Sequence, residues 1–170
     1  MKNTKLNFPI FIIATLFITS LFAACSDNSD DEKYLSHAPT FTDIQVTTED
    51  GNMIEAGKKA TLTAVQSKKG VLLYKAKYDW TFEPDNSEVE QDYTKEVVYD
   101  VKNEDPTNEV IFRNKGKYKV RFTGRFYISG QHKIYNHTEI KNGCTITYST
   151  PGIQYYEVTI TKSIDVRQGR

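Results

Sequence analysis

The sequence predicts an all-β protein, folded as an antiparallel β-sandwich of about seven to nine strands. Apolar and polar side chains alternate strictly through residues 117–129, which is the period of a half-buried antiparallel strand. Shorter alternating segments recur from residue 42 to residue 166, with turn residues between them. Outside the first 24 residues, no window keeps the 3.6-residue period of an amphipathic helix.

The candidate strands follow one another at short intervals. In chain order they cover residues 42–47, 60–66, 76–83, 95–101, 109–113, 117–129 and 154–166. Turn signals separate them, among them Pro84-Asp85-Asn86, Asp105-Pro106-Thr107-Asn108 and Asn114-Lys115-Gly116. About seven strands with regular turns over roughly 130 residues are typical of a β-sandwich.

The alternation also predicts which side chains form the core. Trp80 is in phase with Tyr78 and Phe82, and it lies opposite the polar positions beside it in the chain. Tyr118 and Phe122 share the apolar face of the longest candidate strand. We therefore expect Trp80, Tyr118 and Phe122 to be buried between the sheets.

Two segments resemble the polycystic-kidney-disease (PKD) type of immunoglobulin-like domain. They are Tyr78-Asp79-Trp80-Thr81-Phe82 and Gly116-Lys117-Tyr118-Lys119-Val120-Arg121-Phe122. In that family a Trp on the third strand packs the core, and a Gly-x-Tyr-x-Val run opens the sixth strand. The resemblance covers residues 40–129 and 154–166, and it implies an immunoglobulin-like sandwich over residues 39–168. Residues 130–152 would then be an insertion in the last hairpin.

The first 24 residues read as an export signal. Two lysines precede an uncharged, mostly apolar stretch over residues 8–24. The segment Leu21-Phe22-Ala23-Ala24-Cys25 resembles the lipobox of bacterial lipoproteins, which implies that Cys25 is acylated after cleavage of the signal. A membrane-spanning anchor is the alternative, but an acidic run follows the apolar stretch in place of the expected flanking lysines.

Residues 25–38 read as an acidic, flexible tether. Their first part, Ser26-Asp27-Asn28-Ser29-Asp30-Asp31-Glu32, has no apolar anchor that could order it. It resembles the acidic stretch that follows the lipidated cysteine in surface lipoproteins of the Bacteroidetes group. The resemblance implies a protein of the outer membrane that is lipid-anchored and faces the cell exterior.

The sequence contains no pattern that indicates catalysis. No metalloprotease, nucleophile-elbow, phosphate-loop or paired-cysteine motif is present. His132, His137 and Glu139 lie near one another, but a metal site needs a third ligand in fixed geometry. Cys144 reads as a small buried residue beside Ile146 and Tyr148. We therefore expect no enzyme activity, no cofactor and no metal.

Tyrosines and basic residues supply the candidate binding groups. Tyr127, Tyr155 and Tyr99 fall on or near outward faces, where tyrosine offers a stacking surface for sugars or peptides, although tyrosine is also simply a good strand residue. Residues 110–138 hold seven basic side chains and no acid. Arg121 and Arg125 either pair with Asp79 and Glu83 on the neighbouring strand or form a free basic face for an acidic ligand; internal pairing is the favoured interpretation.

These observations favour a binding or presenting role over catalysis. The predicted protein is a non-catalytic surface lipoprotein whose sandwich binds or presents a polysaccharide or an envelope protein. The alternative is an assembly subunit that pairs an exposed edge strand with a partner, through the strand near Thr42 or the strand near Gln154. The 22 basic and 22 acidic side chains balance, which disfavours nucleic acid as the partner.

Overall fold

Two β-sheets packed face to face make up the part of the chain that the structure describes. The structure is a computed structural model that describes residues 32–49, 51, 53–84, 86–91, 95–100, 102 and 104–169. The predicted export signal and Cys25 lie outside the described residues. A compact unit begins at Tyr34, and all strands belong to it.

Eleven strands are present in the described ranges, and two short 3-10 turns, Glu32–Tyr34 and Asn86–Glu88, accompany them. The strands are β1 (Thr40–Thr48), β2 (Ile54–Glu55), β3 (Lys59–Lys68), β4 (Leu73–Glu83), β5 (Val89–Gln91), β6 (Lys95–Val98), β7 (Thr107–Phe112), β8 (Gly116–Ile128), β9 (Asn136–Lys141), β10 (Cys144–Ser149) and β11 (Tyr155–Arg167).

The sheet order is that of an immunoglobulin-like sandwich, which confirms the predicted fold class. The smaller sheet has the order β1-β3-β7-β5, and the larger has the order β6-β4-β8-β11-β10-β9. Neighbouring strands are antiparallel, except that β2 pairs in parallel with the end of β11. Residues 136–149 of the predicted insertion form the β9–β10 hairpin, which turns at Asn142 and Gly143, both with positive φ, and extends the larger sheet.

The structure has more strands than the seven to nine that the alternation predicts. The additional strands are too short for alternation of apolar and polar residues to be recognised. β2 and β5 are two and three residues long, and no period can be read from so few residues. The strand expected over residues 95–101 ends at Val98. The turn predicted over residues 105–108 is shorter in the structure, because β7 already begins at Thr107.

Aromatic rings from both sheets form the centre of the core. Trp80 is 6% exposed, Tyr118 is 4% exposed and Phe122 is fully buried. The Phe122 ring lies 4.9 Å from the Trp80 ring in its own sheet and 5.6 Å from the Phe41 ring of the opposite sheet. Tilted ring pairs at such distances are a favourable aromatic geometry, so this contact joins the two layers.

Tyr118 closes the corner between β7 and β8. Its hydroxyl donates a hydrogen bond to the Asn114 carbonyl at 2.9 Å, and its ring packs 4.9 Å from that of Phe112. A tyrosine near the start of the sixth main strand that bonds back to the backbone is the tyrosine corner of immunoglobulin-like sandwiches. This contact fixes how β8 enters the larger sheet.

Gly124 makes room for the aromatic rings at the middle of β8. It lies on the inner face, and a Cβ atom there would be 2.7 Å from a ring carbon of Phe126 and 3.2 Å from one of Phe122. The Phe126 ring is itself held between Phe41 and Tyr99, at 6.1 and 5.7 Å. A side chain at position 124 would therefore force the rings of Phe122 and Phe126 to move.

The burial of Tyr99 corrects the expectation that it faces outward. Only 7% of it is exposed, and its hydroxyl accepts a hydrogen bond from the Gly70 amide at 2.7 Å. Its ring contacts Phe126 edge-on. Tyr99 continues the alternation of β6, in which Val97 packs against the core and Val98 is 83% exposed, so its ring turns inward over the end of the core.

The last part of the predicted flexible tether is packed against the sandwich. Ser36 is fully buried; its hydroxyl donates to the Leu72 carbonyl at 2.8 Å and accepts from the Gly130 amide at 3.0 Å. The Ser36 carbonyl accepts a hydrogen bond from the Tyr156 hydroxyl at 2.7 Å. These bonds hold the chain from Tyr34 onward, whereas the sequence predicts order only from residue 39.

Of the two strands predicted as open edges, one is internal to its sheet and the other is partly covered. β11, which begins beside Gln154, is internal because it pairs with β8 and β10. β1 does lie at the edge of its sheet, but side chains from the other sheet bond to its backbone. The Phe41 amide donates to the Tyr148 hydroxyl at 3.0 Å, and Asn142 and Lys162 donate to the carbonyls of Thr42 and Ile44.

We predict that Gly124→Ala lowers the free energy of unfolding by about 1–3 kcal/mol, because the added methyl group overpacks the rings of Phe122 and Phe126. Urea denaturation followed by the fluorescence of Trp80 measures the change. Gly152→Ala is the matched control, since no atom lies within 4 Å of its added Cβ. Equal denaturation midpoints for the two variants would show that the rings do not need the space at position 124.

Candidate functional site

Three tyrosines form a row on the outer face of the larger sheet. We call Tyr74, Tyr127 and Tyr155 the tyrosine strip; they lie on β4, β8 and β11. Tyr127 and Tyr155 are the two tyrosines predicted as ligand-binding residues, and the structure brings them together. Tyr74 was missed by the sequence reasoning.

Strand register explains the row. Tyr127 and Tyr155 are directly paired across β8 and β11, so both side chains project from the same face. On β4 the register shifts between Leu73 and Lys75, which leaves Tyr74 as an extra residue beside Tyr127. Such bulges commonly redirect a side chain, and here the bulge adds a third ring to the row.

The rings of the tyrosine strip are accessible to solvent, and their planes are tilted relative to one another. The ring centroids of Tyr74 and Tyr127 are 6.1 Å apart, and those of Tyr127 and Tyr155 are 5.6 Å apart. The ring planes are tilted by 55° and 44°, as expected for neighbours on a twisted sheet. Tyr74 is 53% exposed, and the other two are half-buried. Because the ring planes are tilted, the strip fits a twisted ligand better than it fits a flat one.

Charged groups border the strip on both sides. The Lys75 ammonium lies 4.3 Å from the centre of the Tyr127 ring, which is cation–π distance. Arg125 lies two residues before Tyr127 and donates from Nε to a carboxylate oxygen of Glu157 at 2.8 Å. That hydrogen bond raises the pKa of Arg125. Guanidinium and carboxylate groups beside aromatic rings provide both donors and acceptors to a polar ligand.

The partner of Arg125 differs from the expected one. The charge pattern of the sequence favours pairing of Arg121 and Arg125 with Asp79 and Glu83 on β4. The register instead places Arg125 opposite Lys77 on β4 and opposite Glu157 on β11. Arg125 therefore turns to Glu157, because the cross-strand neighbour on the other side carries the same charge.

Arg121 pairs as expected but lies away from the strip. It contacts Glu83 at 3.5 Å, and Lys119 contacts the same carboxylate at 2.9 Å. The hydrogen bond from Lys119 is the main reason that the pKa of Glu83 is lowered, and the charge of Arg121 contributes. These contacts neutralise the basic strand locally, so the structure gives Arg121 no direct part in the tyrosine strip.

A cleft of about 490 Å³ opens between the sheets beside β6 and β7. Its walls include Trp80, Glu104, Asp105 and Glu109. Two of these carboxylates have lysine partners: Asp105 lies 3.2 Å from Lys69, and Glu109 lies 2.7 Å from Lys59. Lysine side chains therefore already contact two of the three carboxylates that line this cleft.

The side chains of His137 and Cys144 each contact a neighbouring side chain. His132 and His137 are exposed, and the His137 ring stacks on Tyr148 with centroids 4.7 Å apart. Cys144 is fully buried and donates to the Asp43 carboxylate at 3.2 Å. Burial is the main cause that raises the pKa of Cys144, whereas a nucleophilic thiol requires a lowered one.

Comparison with known proteins gave no match: no family model, no curated protein and no solved structure matches this chain. Within the described ranges, no three His, Cys, Asp or Glu side chains are grouped so that they could hold a metal ion. No helix in the same ranges is long and apolar enough to span a bilayer. The chemistry of the exposed side chains is what points to a ligand.

A sequence signal for Tyr74 exists but is faint. Leu73-Tyr74-Lys75 precedes the clear alternation that starts at Ala76, and the bulge puts Tyr74 out of phase with it. Tyr74 and Tyr127 can be recognised as neighbours only when the pairing of residues between β4 and β8 is known. The position of Lys75 over the Tyr127 ring depends on the same register.

Proposed function

We propose that this chain is a non-catalytic, lipid-anchored surface protein of the bacterial outer membrane that binds an oligosaccharide through the tyrosine strip. The observation that carries the proposal is the row of three accessible tyrosines on adjacent strands. Tyrosine rings stack on the C–H faces of sugars, and tyrosine loses little conformational entropy when it is fixed. Neighbouring ring centroids lie 6.1 and 5.6 Å apart, so the three rings can contact successive parts of one extended ligand.

The side chains around the strip support a saccharide as the ligand. Arg125, Glu157 and Lys75 supply charged donors and an acceptor at the border of the rings. Sugar hydroxyls need both kinds of partner, and a few placed polar groups beside an aromatic surface give orientation and specificity. Since Arg125 is already paired with Glu157, this surface suits a neutral saccharide better than a polyanion.

The anchor is the second part of the proposal. It is supported by the apolar stretch over residues 8–24, the Ala23-Ala24-Cys25 junction and the acidic run that follows. Three acyl chains at one cysteine would hold the protein almost irreversibly, because each buried methylene contributes about 0.8 kcal/mol. An anchored binding module keeps a captured saccharide at the cell surface.

Strand pairing through β9 is the second candidate function. β9 pairs only with β10 in the described structure, and its residue Ile140 is 79% exposed. The same strand carries His137, Glu139 and Lys141, and charged residues on an edge strand oppose the addition of another strand. We therefore favour the tyrosine strip over β9.

The saccharide proposal predicts a loss of affinity on removal of a ring. A glycan array with the mature chain would select the probe, and calorimetric titration would then compare variants. Tyr127→Ala is expected to weaken binding about tenfold, which corresponds to about 1.4 kcal/mol. Tyr127→Phe keeps the stacking surface and is expected to retain most of the affinity.

Tyr34→Ala is the matched control, because Tyr34 is 54% exposed and lies outside the strip, whereas Tyr74 in the strip is 53% exposed. We expect Tyr34→Ala to bind like the wild type. Equal losses for Tyr34→Ala and Tyr127→Ala, or no bound glycan at all, would contradict the assignment of the strip.

The anchor predicts that Cys25→Ala abolishes lipidation, since a thiol at that position is the acceptor of the diacylglyceryl group. Metabolic labelling of expressing cells with a clickable fatty acid measures this directly. Cys144→Ala serves as the control and is expected to keep the label. Label retained on Cys25→Ala protein would overturn the lipoprotein assignment.

A further inference from the structure

Most of the exposed apolar side chains lie at one end of the sandwich. Of the nine large apolar residues that are exposed in the described part of the chain, seven lie at the end where β4 begins and β8 ends. Exposed apolar residues are normal when scattered, but a cluster marks an interaction surface. Five of them lie on loops or on the segment before β1, and we call these the apolar tip: Tyr34, Val71, Leu72, Ile134 and Ile153.

Hydrogen bonds donated by loop amides hold this end together. The Gln131 amide donates to the Tyr34 carbonyl at 2.7 Å, and the Ser129 amide donates to the Leu72 carbonyl at 2.9 Å. The Lys133 amide donates to the Tyr156 hydroxyl at 2.9 Å, beside Ile134. The exposed side chains therefore project from loops that are fixed to the ends of the long strands.

The chain reaches the apolar tip directly from the proposed lipid site. Eight residues lie between Cys25 and Tyr34, and the nine steps along the chain span at most about 32 Å when fully extended. The opposite end of the sandwich is farther away by the length of β8, which is 13 residues long and so extends roughly 40 Å. A lipid on Cys25 would therefore always hold this end within about 32 Å of the bilayer, whereas the opposite end is not restricted in this way.

The chemistry of the tip suits a lipid surface. Ile134 and Ile153 are 76% and 73% exposed, although burial of such side chains is favourable. Residues 129–135 and 150–154 include Lys133 and no carboxylate, and Glu32 and Lys33, which precede Tyr34, carry opposite charges. Aliphatic side chains with an adjacent lysine match the boundary between acyl chains and anionic headgroups.

We propose that the apolar tip docks on the membrane that holds the lipid of Cys25, so that the sandwich stands on the bilayer with its long strands directed away from it. The inference rests on the anchor in the proposed function. In this orientation the tyrosine strip lies on the side of the sandwich, close to its base. It would be open to a saccharide chain that lies along the cell surface.

Site-directed fluorescence quenching tests the proposal. The full lipidated chain would carry one added cysteine, Ile134→Cys or Ile153→Cys at the tip, labelled with a thiol-reactive fluorophore. Vesicles of phosphatidylethanolamine and phosphatidylglycerol would contain a nitroxide-labelled lipid as the quencher. Cys144 is buried and its pKa is raised, so the parent chain is expected to label poorly and supplies the background.

The matched controls are Ile140→Cys and Met53→Cys, which are 79% and 55% exposed but lie outside the apolar tip. We expect at least about threefold stronger quenching at the tip positions than at the controls, since interfacial side chains enter the boundary by about 5–10 Å. Equal quenching at all four positions, or stronger quenching at Ile140→Cys, would overturn the docking. Disulfide-linked dimers formed through the tip positions would also overturn it, in favour of a second copy.

Flotation of the same vesicles separates the two proposals. If the parent chain floats and the tip labels are not quenched, tip docking is wrong and the anchor stands. If the parent chain does not float, both the anchor and the docking are overturned. Saccharide binding by the tyrosine strip is measured in solution and is unaffected by either outcome.

Discussion

The inner face of β8 imposes the constraint on which the rest of the structure depends. Phe122 and Phe126 flank Gly124, and their rings meet Phe41 from the opposite sheet at 5.6 and 6.1 Å. The missing side chain at position 124 gives these rings their space. Because both sheets contribute rings to this contact, it sets the distance between the layers and the register in which β8 runs through the larger sheet.

That register determines the outer surface. Side chains alternate along a strand, so a fixed inner position for Phe126 forces Arg125 and Tyr127 outward. A slip of β8 by one residue would bury both and expose the core. The tyrosine strip is therefore a consequence of the core on the other face of the same strand, and the bulge in β4 adds Tyr74 to it.

Alternation in the sequence was sufficient to predict the sandwich, the seven main strands and the burial of residues such as Phe122, since these depend on local period alone. It was not sufficient for features that depend on pairing between distant segments. Arg125 was assigned the wrong partner because Lys77 and Glu157 become its neighbours only through register. Tyr99 is buried because it is in phase with the inward-facing Val97, and which face of β6 is inward depends on the pairing of β6 with β4. Ser36 lies in a polar stretch, and its burial depends on bonds to residues 72, 130 and 156.

A nuclear magnetic resonance titration of the isotopically labelled chain with an oligosaccharide selected by glycan array tests the central claim most directly. Saccharide binding by the tyrosine strip predicts amide shift changes centred on Tyr74, Tyr127 and Tyr155, with Arg125 and Glu157 at their border. Shift changes centred on β9, or on the cleft beside β6 and β7, would contradict that claim and place the ligand elsewhere on the sandwich.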